Sequence, residues 1–204
     1  MKNERQQRRQ VRSIETGFQT REATEDYNGP VIEGYFAVFN SDYEIWPGAV
    51  ERVAPGAFAN SLAGNIPAVI GGVRALADHD TRIVLGRTTA GTLELREDEK
   101  GLYGVIKINP EDQEAMNLYA RVQRGDVNQC SFGFDIVAED YEHRPDGSDL
   151  WTIRDVVLYE VSVVTFPAYA ETSVQARKDD IKTIRSRQLA ARKSVLKERI
   201  ASWH

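Results

Sequence analysis

Apolar and polar residues alternate with a period of two along several short stretches of this chain, and with a helical period along fewer. Over 127–138, Cys130, Phe132, Phe134 and Ile136 alternate with Ser131, Gly133 and Asp135, the pattern of a strand with one buried face. A polar connection containing Pro145-Asp146-Gly147 leads to a second long strand pattern over 150–165, ended by Pro167. Shorter strand patterns fall at 31–39, bounded by turn residues on both sides, and at 49–53. Pro55-Gly56 then precedes a short helix around 57–62. Ile83-Val84-Leu85 leads into a hairpin pair, 92–96 and 102–108, whose loop contains Asp98-Glu99-Lys100-Gly101.

One helix is clearly signalled inside this β-rich middle. Asn109 can cap it, Pro110 suits the first helical position, and Glu111 and Asp112 favour the positive end of the helix dipole. Ala115, Met116, Leu118, Tyr119 and Val122 form its apolar stripe, and Gly125 stops it. From 176 onward the composition changes. Leu189, Leu196 and Trp203 recur every seven residues among Arg, Lys and Gln, with Ile200 between the last two, which predicts an appended amphipathic helix. The fold expected is mainly β with helices (α+β): an antiparallel sheet closed or nearly closed into a barrel and flanked by helices.

Charge divides the chain in the same places. Residues 1–12 carry five basic and one acidic side chain, and residues 176–204 carry nine basic and three acidic. The remaining 163 residues hold 12 basic and 27 acidic side chains, so two cationic ends flank an anionic middle. The expected organisation is a basic extension at 1–12, a domain at 13–175 and the basic helix at 176–204. An anionic middle argues against a nucleic-acid-binding core, because phosphate contacts need clustered Lys and Arg. The 204 residues suit one domain with modest extensions, large enough to need no staple. The single Cys130 excludes an intramolecular disulfide framework and a Cys-based zinc site, and points to a reducing compartment. No apolar run reaches transmembrane length and the N-terminus lacks a secretion signal, so a soluble, non-exported protein without a membrane partner is expected.

Few residues remain to carry chemistry. Walker, dinucleotide-glycine, His-Glu-x-x-His and Gly-x-Ser-x-Gly motifs are absent. Of three histidines, His204 is the last residue and His143 lies in the polar connection. His79, in Leu76-Ala77-Asp78-His79-Asp80, ends an apolar segment where a scaffold could aim it as a general base. Ser131 lies opposite the Cys130/Phe132/Phe134 row, and Gly133 on its own face leaves space that a substrate backbone could enter. Glu160 is a carboxylate within a Val-, Leu- and Tyr-rich strand and needs a partner, with Arg154 and Arg121 as structural candidates. An antiparallel hairpin centred near 144 brings Ser131 and Glu160 close, but a one-residue slip decides whether they share a face.

Seven segments in order resemble the prohead (head maturation) proteases of tailed bacteriophages, relatives of the herpesvirus capsid-assembly protease. They are Glu33-Gly34-Tyr35-Phe36-Ala37-Val38-Phe39-Asn40, Pro55-Gly56-Ala57-Phe58, Asp78-His79-Asp80 with Leu85-Gly86, Gly101-Leu102, Ser131-Phe132-Gly133-Phe134, Glu160-Val161-Ser162-Val163-Val164, and Pro167-Ala168-Tyr169. The resemblance spans about 12–175. It implies a serine endopeptidase with Ser131 as nucleophile, His79 as base and Glu160 as third member. The herpesvirus branch uses a second histidine instead, for which His143 is the internal candidate. Asp78 and Asp80 flank His79, but side chains adjacent in an extended segment diverge and make poor orienters. Implied substrates are the major capsid protein with its scaffolding segment, and the protease itself, cut inside the prohead in the bacterial cytoplasm. A homo-oligomer is compatible with this reading, and no cofactor or metal is expected. Two other classes compete: a non-catalytic assembly or scaffolding protein on the same fold, and a nucleic-acid-associated factor using the basic ends.

Overall fold

The computed structural model describes residues 9–15, 17–22, 27–64, 69 and 71–166. The amphipathic helix expected from 176 lies outside these. In chain order come β1 (Gln10–Glu15), β2 (Gln19–Arg21), β3 (Val31–Val38), β4 (Tyr43–Trp46), β5 (Ala49–Val53) and a one-turn helix α1 (Ala59–Leu62). Then follow β6 (Arg74–Ala77), β7 (Asp80–Arg87), β8 (Leu93–Glu97), β9 (Gly101–Lys107), α2 (Gln113–Arg124), β10 (Gln129–His143) and β11 (Asp149–Val164).

The protein is mainly β with two short helices, but the barrel expected from the sequence is not closed among the described residues. There are two open sheets. One has seven strands, running β1-β10-β11-β5-β4 with β6 and β7 attached to β11, and the other runs β2-β3-β9-β8. The reason lies in β11. Its 16 residues pair with β10 along one edge, while the other edge takes two strands in tandem. Asp149 to Ile153 pair in parallel with β5, and Glu160 to Val163 pair in parallel with β6. The ladder therefore branches at β11 instead of curling round to meet itself. The gap between β5 and β6 is filled by the α1 segment. Ser61 Oγ donates to Val156 O at 2.7 Å and accepts from Leu158 N at 2.9 Å, and Val156 N donates to Ala57 O at 3.1 Å. These bonds replace the ladder contacts that β11 lacks there.

The core lies where the inner faces of the strands meet. Cys130, Phe132, Phe134 and Ile136 are buried, as their alternation predicts, among Ile32, Phe36, Ile106, Val161 and Val163. Phe132 stacks on Phe134 at 4.8 Å between centroids and meets Phe58 edge-on at 5.5 Å. Truncating such a buried aromatic to alanine typically costs about 3–5 kcal/mol.

One boundary differs from the sequence expectation. The N-cap of α2 is Asp112, whose Oδ1 accepts from Glu114 N at 3.0 Å and Ala115 N at 3.2 Å. Asn109 instead caps the preceding turn, accepting from Glu111 N at 3.0 Å. At the N-terminus, β1 begins at Gln10, so Gln10, Val11 and Arg12 belong to the seven-stranded sheet although they precede residue 13. Arg12 is buried and ion-paired with buried Glu51 on β5, with Nη2 3.0 Å from Oε2.

Candidate active site

Register brings the expected residues to one end of the large sheet. β10 and β11 are antiparallel, with Ser131 opposite Ser162 and Gly133 opposite Glu160. Cross-strand partners share a face, and period two puts Ser131 and Gly133 on one face, so Ser131 and Glu160 do face the same way. β6 continues both rows, Arg74 beside Glu160 and Leu76 beside Ser162. This is the face opposite the phenylalanine core.

His79 reaches this face from the tip of the β6–β7 hairpin. Ala77 pairs with Asp80 across a two-residue turn, and both turn residues have positive φ, 47° at Asp78 and 60° at His79. That is the geometry of a type I′ turn, usually given to Asn-Gly. Asp and His are among the non-glycine residues that tolerate it best, at a cost of about 1–2 kcal/mol each. Asp78 helps hold the tip in place: its carboxylate accepts from Thr165 N at 2.7 Å and Thr165 Oγ1 at 3.1 Å, and its own N–H donates to Val163 O at 2.9 Å. The turn is thus tied to Val163 and Thr165 at the end of β11, three and five residues past Glu160.

The imidazole meets Glu160 directly. His79 Nδ1 lies 2.8 Å from Glu160 Oε1. Ser162 Oγ donates to the other oxygen, Oε2, at 2.6 Å. An ionised carboxylate only accepts, so the contact assigns the ring proton to Nδ1 and leaves Nε2 with a free lone pair in the neutral ring. His79 Nε2 is buried and has no hydrogen-bond partner among the described residues. Ser131 is fully buried and donates its hydroxyl hydrogen to Arg12 O on β1, at 2.9 Å. So His79 and Glu160 are in contact, while the Ser131 hydroxyl is turned toward β1.

Other candidates fall elsewhere. Asp80 pairs with Arg82 at 2.7 Å, and the side-chain and backbone hydrogen bonds from Arg82 lower its carboxyl to about 2. Its carboxylate faces Arg82 and not the His79 ring. Glu160 takes neither arginine considered for it; Arg154 pairs with Asp140 at 2.7 Å. His143 lies at the far end of β10, 2.8 Å from buried Asp149, which also accepts from Tyr141 OH at 2.7 Å. Twelve residues of strand, roughly 40 Å, separate it from Ser131. The space beside Gly133 is not open to a substrate backbone, because the Glu160 carboxylate fills it: a Cβ built on Gly133 would overlap Oε1. Ser162 is not singled out by the sequence reading; its signal is the i, i+2 spacing from Glu160, which in a strand puts both on one face.

Among the described residues no group of three or more His, Cys, Asp or Glu side chains is placed to hold a metal ion. A cavity of about 530 Å³ lies toward the other end of β6, lined by residues that include Ser61, Leu62, Val73 and Thr88 but none of Ser131, His79 or Glu160.

Residues 16–187 match the family described as caudovirus prohead serine protease. The chain is 35% identical over 178 residues to the prohead protease of Enterobacteria phage HK97, a match covering 84% of this chain and 72% of that protein. Its fold is similar to that of the bacteriophage T4 capsid assembly protease gp21, with a TM-score of 0.50 at 12% identity over 78% of this chain and 98% of the other. With that match over most of its length, and a serine, a histidine and a glutamate gathered at one end of its large sheet, this chain belongs to the caudovirus prohead serine protease family, the serine proteases of tailed-phage capsid assembly.

Proposed function

We propose that Ser131, His79 and Glu160 are the hydrolytic unit of this protease. The observation that carries the reading is the 2.8 Å contact of His79 Nδ1 with Glu160 Oε1, which leaves Nε2 buried and unpartnered. A base held in this tautomer accepts a proton at one defined atom. Ser131 turns its hydroxyl from the Arg12 carbonyl to His79 Nε2, and His79 takes the proton as Oγ attacks the scissile carbonyl. The imidazolium then gives the proton to the leaving amine, and the acyl-enzyme is hydrolysed by water activated the same way. Glu160 keeps the ring oriented and stabilises its cation.

The substrates of this reading are the scaffold, or the scaffolding segment of the major capsid protein, and the protease itself, cut inside the prohead in the host cytoplasm. No helix among the described residues is long and apolar enough to cross a membrane. The cationic ends serve delivery, inhibition or self-processing. In this reading the N-terminal handle is taken to end before Gln10, a choice supported by the start of β1 there.

Co-expression of the wild type, Ser131→Ala or His79→Ala with the cognate capsid protein, read by intact mass, tests the assignment. Each substitution is expected to lower cleavage by about 10⁴-fold or more. Unchanged processing with Ser131→Ala would overturn it.

A further inference from the structure

We propose that Ser162 is a positioning residue for hydrolysis, holding the Glu160 carboxylate in the orientation from which it grips His79. The proposal rests on the roles given above to Ser131, His79 and Glu160. Ser162 is fully buried on β11 and lies directly across the ladder from Ser131. The two neighbouring hydroxyls are committed differently. Ser131 donates to a backbone carbonyl on β1, which it can leave by rotating about χ1. Ser162 donates to Glu160 Oε2 at 2.6 Å, the length of a charge-assisted bond.

The need for such an anchor follows from the carboxylate itself. The terminal torsion of a glutamate is broad, so one contact through Oε1 does not fix its plane. Glu160 is largely buried, where an oxygen without a donor carries a desolvation cost. The Ser162 hydroxyl meets both requirements. It satisfies Oε2 and fixes the plane of the group, so that Oε1 points at His79 Nδ1. Gly133 closes the third side, since the carboxylate occupies the volume its missing side chain leaves. Ser162 therefore acts through Glu160 on His79, and the hydroxyl free to leave its acceptor is the one assigned to attack.

The test uses the full chain acting on the cognate major capsid protein. Ser162→Ala is expected to lower kcat by roughly 10- to 100-fold, the rate equivalent of one hydrogen bond to a charged group, with KM unchanged. The acid limb of the kcat/KM pH profile is expected to move, because the partner of the imidazolium is loosened. Ser162→Cys keeps the volume with a weak donor and should fall with Ser162→Ala, whereas Ser162→Thr keeps the hydroxyl and should retain most of the rate. The proton on His79 Nδ1, observed by NMR in inactive Ser131→Ala, should shift or broaden when Ser162→Cys is added. Wild-type kcat and pH limb in Ser162→Cys, with an unmoved Nδ1 proton, would overturn the proposal and leave the triad intact. Unchanged cleavage by His79→Ala would instead remove the reading on which it rests.

Discussion

Glu160 stands opposite Gly133 across the β10–β11 ladder, and its carboxylate occupies the volume that any larger residue at 133 would need. The glycine is required by side-chain space and not by backbone strain, since Gly133 is not among the residues with positive φ. Gly133→Ala is therefore expected to keep its backbone conformation while pushing Glu160 off His79. A displacement of about 1 Å in a positioned catalytic group can cost about 10²-fold in rate, and a loss of that order is expected for Gly133→Ala. Capsid-protein cleavage measured beside a thermal melt checks this. Full activity in the alanine variant would show that the carboxylate has another place to go.

The third member of the proposed unit separates two histidine environments that look alike locally. His79 and His143 each place Nδ1 2.8 Å from a carboxylate oxygen, of Glu160 and Asp149 respectively. Only the first pair lies at the Ser131 end of the sheet. Glu160→Gln keeps the shape but reverses the hydrogen-bond demand on Nδ1, which favours the wrong tautomer, and is expected to lower kcat by up to about 10⁴-fold. His143→Ala should leave cleavage within a factor of two or so, since Asp149 keeps the Tyr141 hydroxyl as a donor and the pair lies at the far end of β10 from Ser131. A large defect in His143→Ala together with an active Glu160→Gln would reverse the assignment.

The parts of this arrangement visible in the sequence are those with strong local periodicity. The alternation through Cys130, Phe132 and Phe134 identifies both the strand and its buried face, and it leaves Ser131 on the other side. The register that unites Ser131 with Glu160 is not local, because it depends on which residues pair across the hairpin. The strand Arg74–Ala77 is too short to show a period, and Arg-Ala-Leu-Ala has no strand preference of its own; it is extended because β11 and β7 pair with it. The open sheets escaped the sequence for a related reason. Strand count suggests a barrel, but the tandem pairing of β5 and β6 along one edge of β11 is a tertiary choice. At Asp78-His79 the turn signal is weak, since the pair lacks the glycine that normally marks a type I′ hairpin.

The placement of β1 makes the N-terminal boundary testable. A chain beginning at Ser13 loses Arg12 and with it the buried ion pair to Glu51, and loses half of the β1 ladder with β10. Removing one partner of a buried pair typically costs about 3–5 kcal/mol, a large share of a total stability of about 5–15 kcal/mol. The Ser13 start is expected to melt well below the full chain and to cleave poorly, while a chain beginning at Arg9 retains both properties. Arg12→Met combined with Glu51→Leu should recover much of the stability lost by Arg12→Met alone, because the buried carboxylate that Arg12 compensates is then removed with it. Equal melting of the Ser13 and Arg9 starts would show that residues 9–12 are dispensable to the fold.

The strained hairpin tip should couple stability to catalysis through Asp78. Its carboxylate ties the turn to Thr165, and the next residue along the chain is His79, the proposed base. Asp78→Ala removes both bonds and places at positive φ a residue without the polar side chain that makes this conformation tolerable. A loss of about 2–4 kcal/mol is expected from the lost bonds and the less tolerant residue together. His79 is positioned by the same turn, so kcat should fall by at least about 10-fold as the Nδ1–Oε1 contact is lost. Asp78→Asn keeps one carbonyl acceptor and the tolerance for positive φ, and should lie between the wild type and Asp78→Ala in both measurements. Melting temperature and kcat measured across the three proteins check this order. A variant that melts lower but cleaves at the wild-type rate would show that Glu160, and not the turn, sets the position of the imidazole.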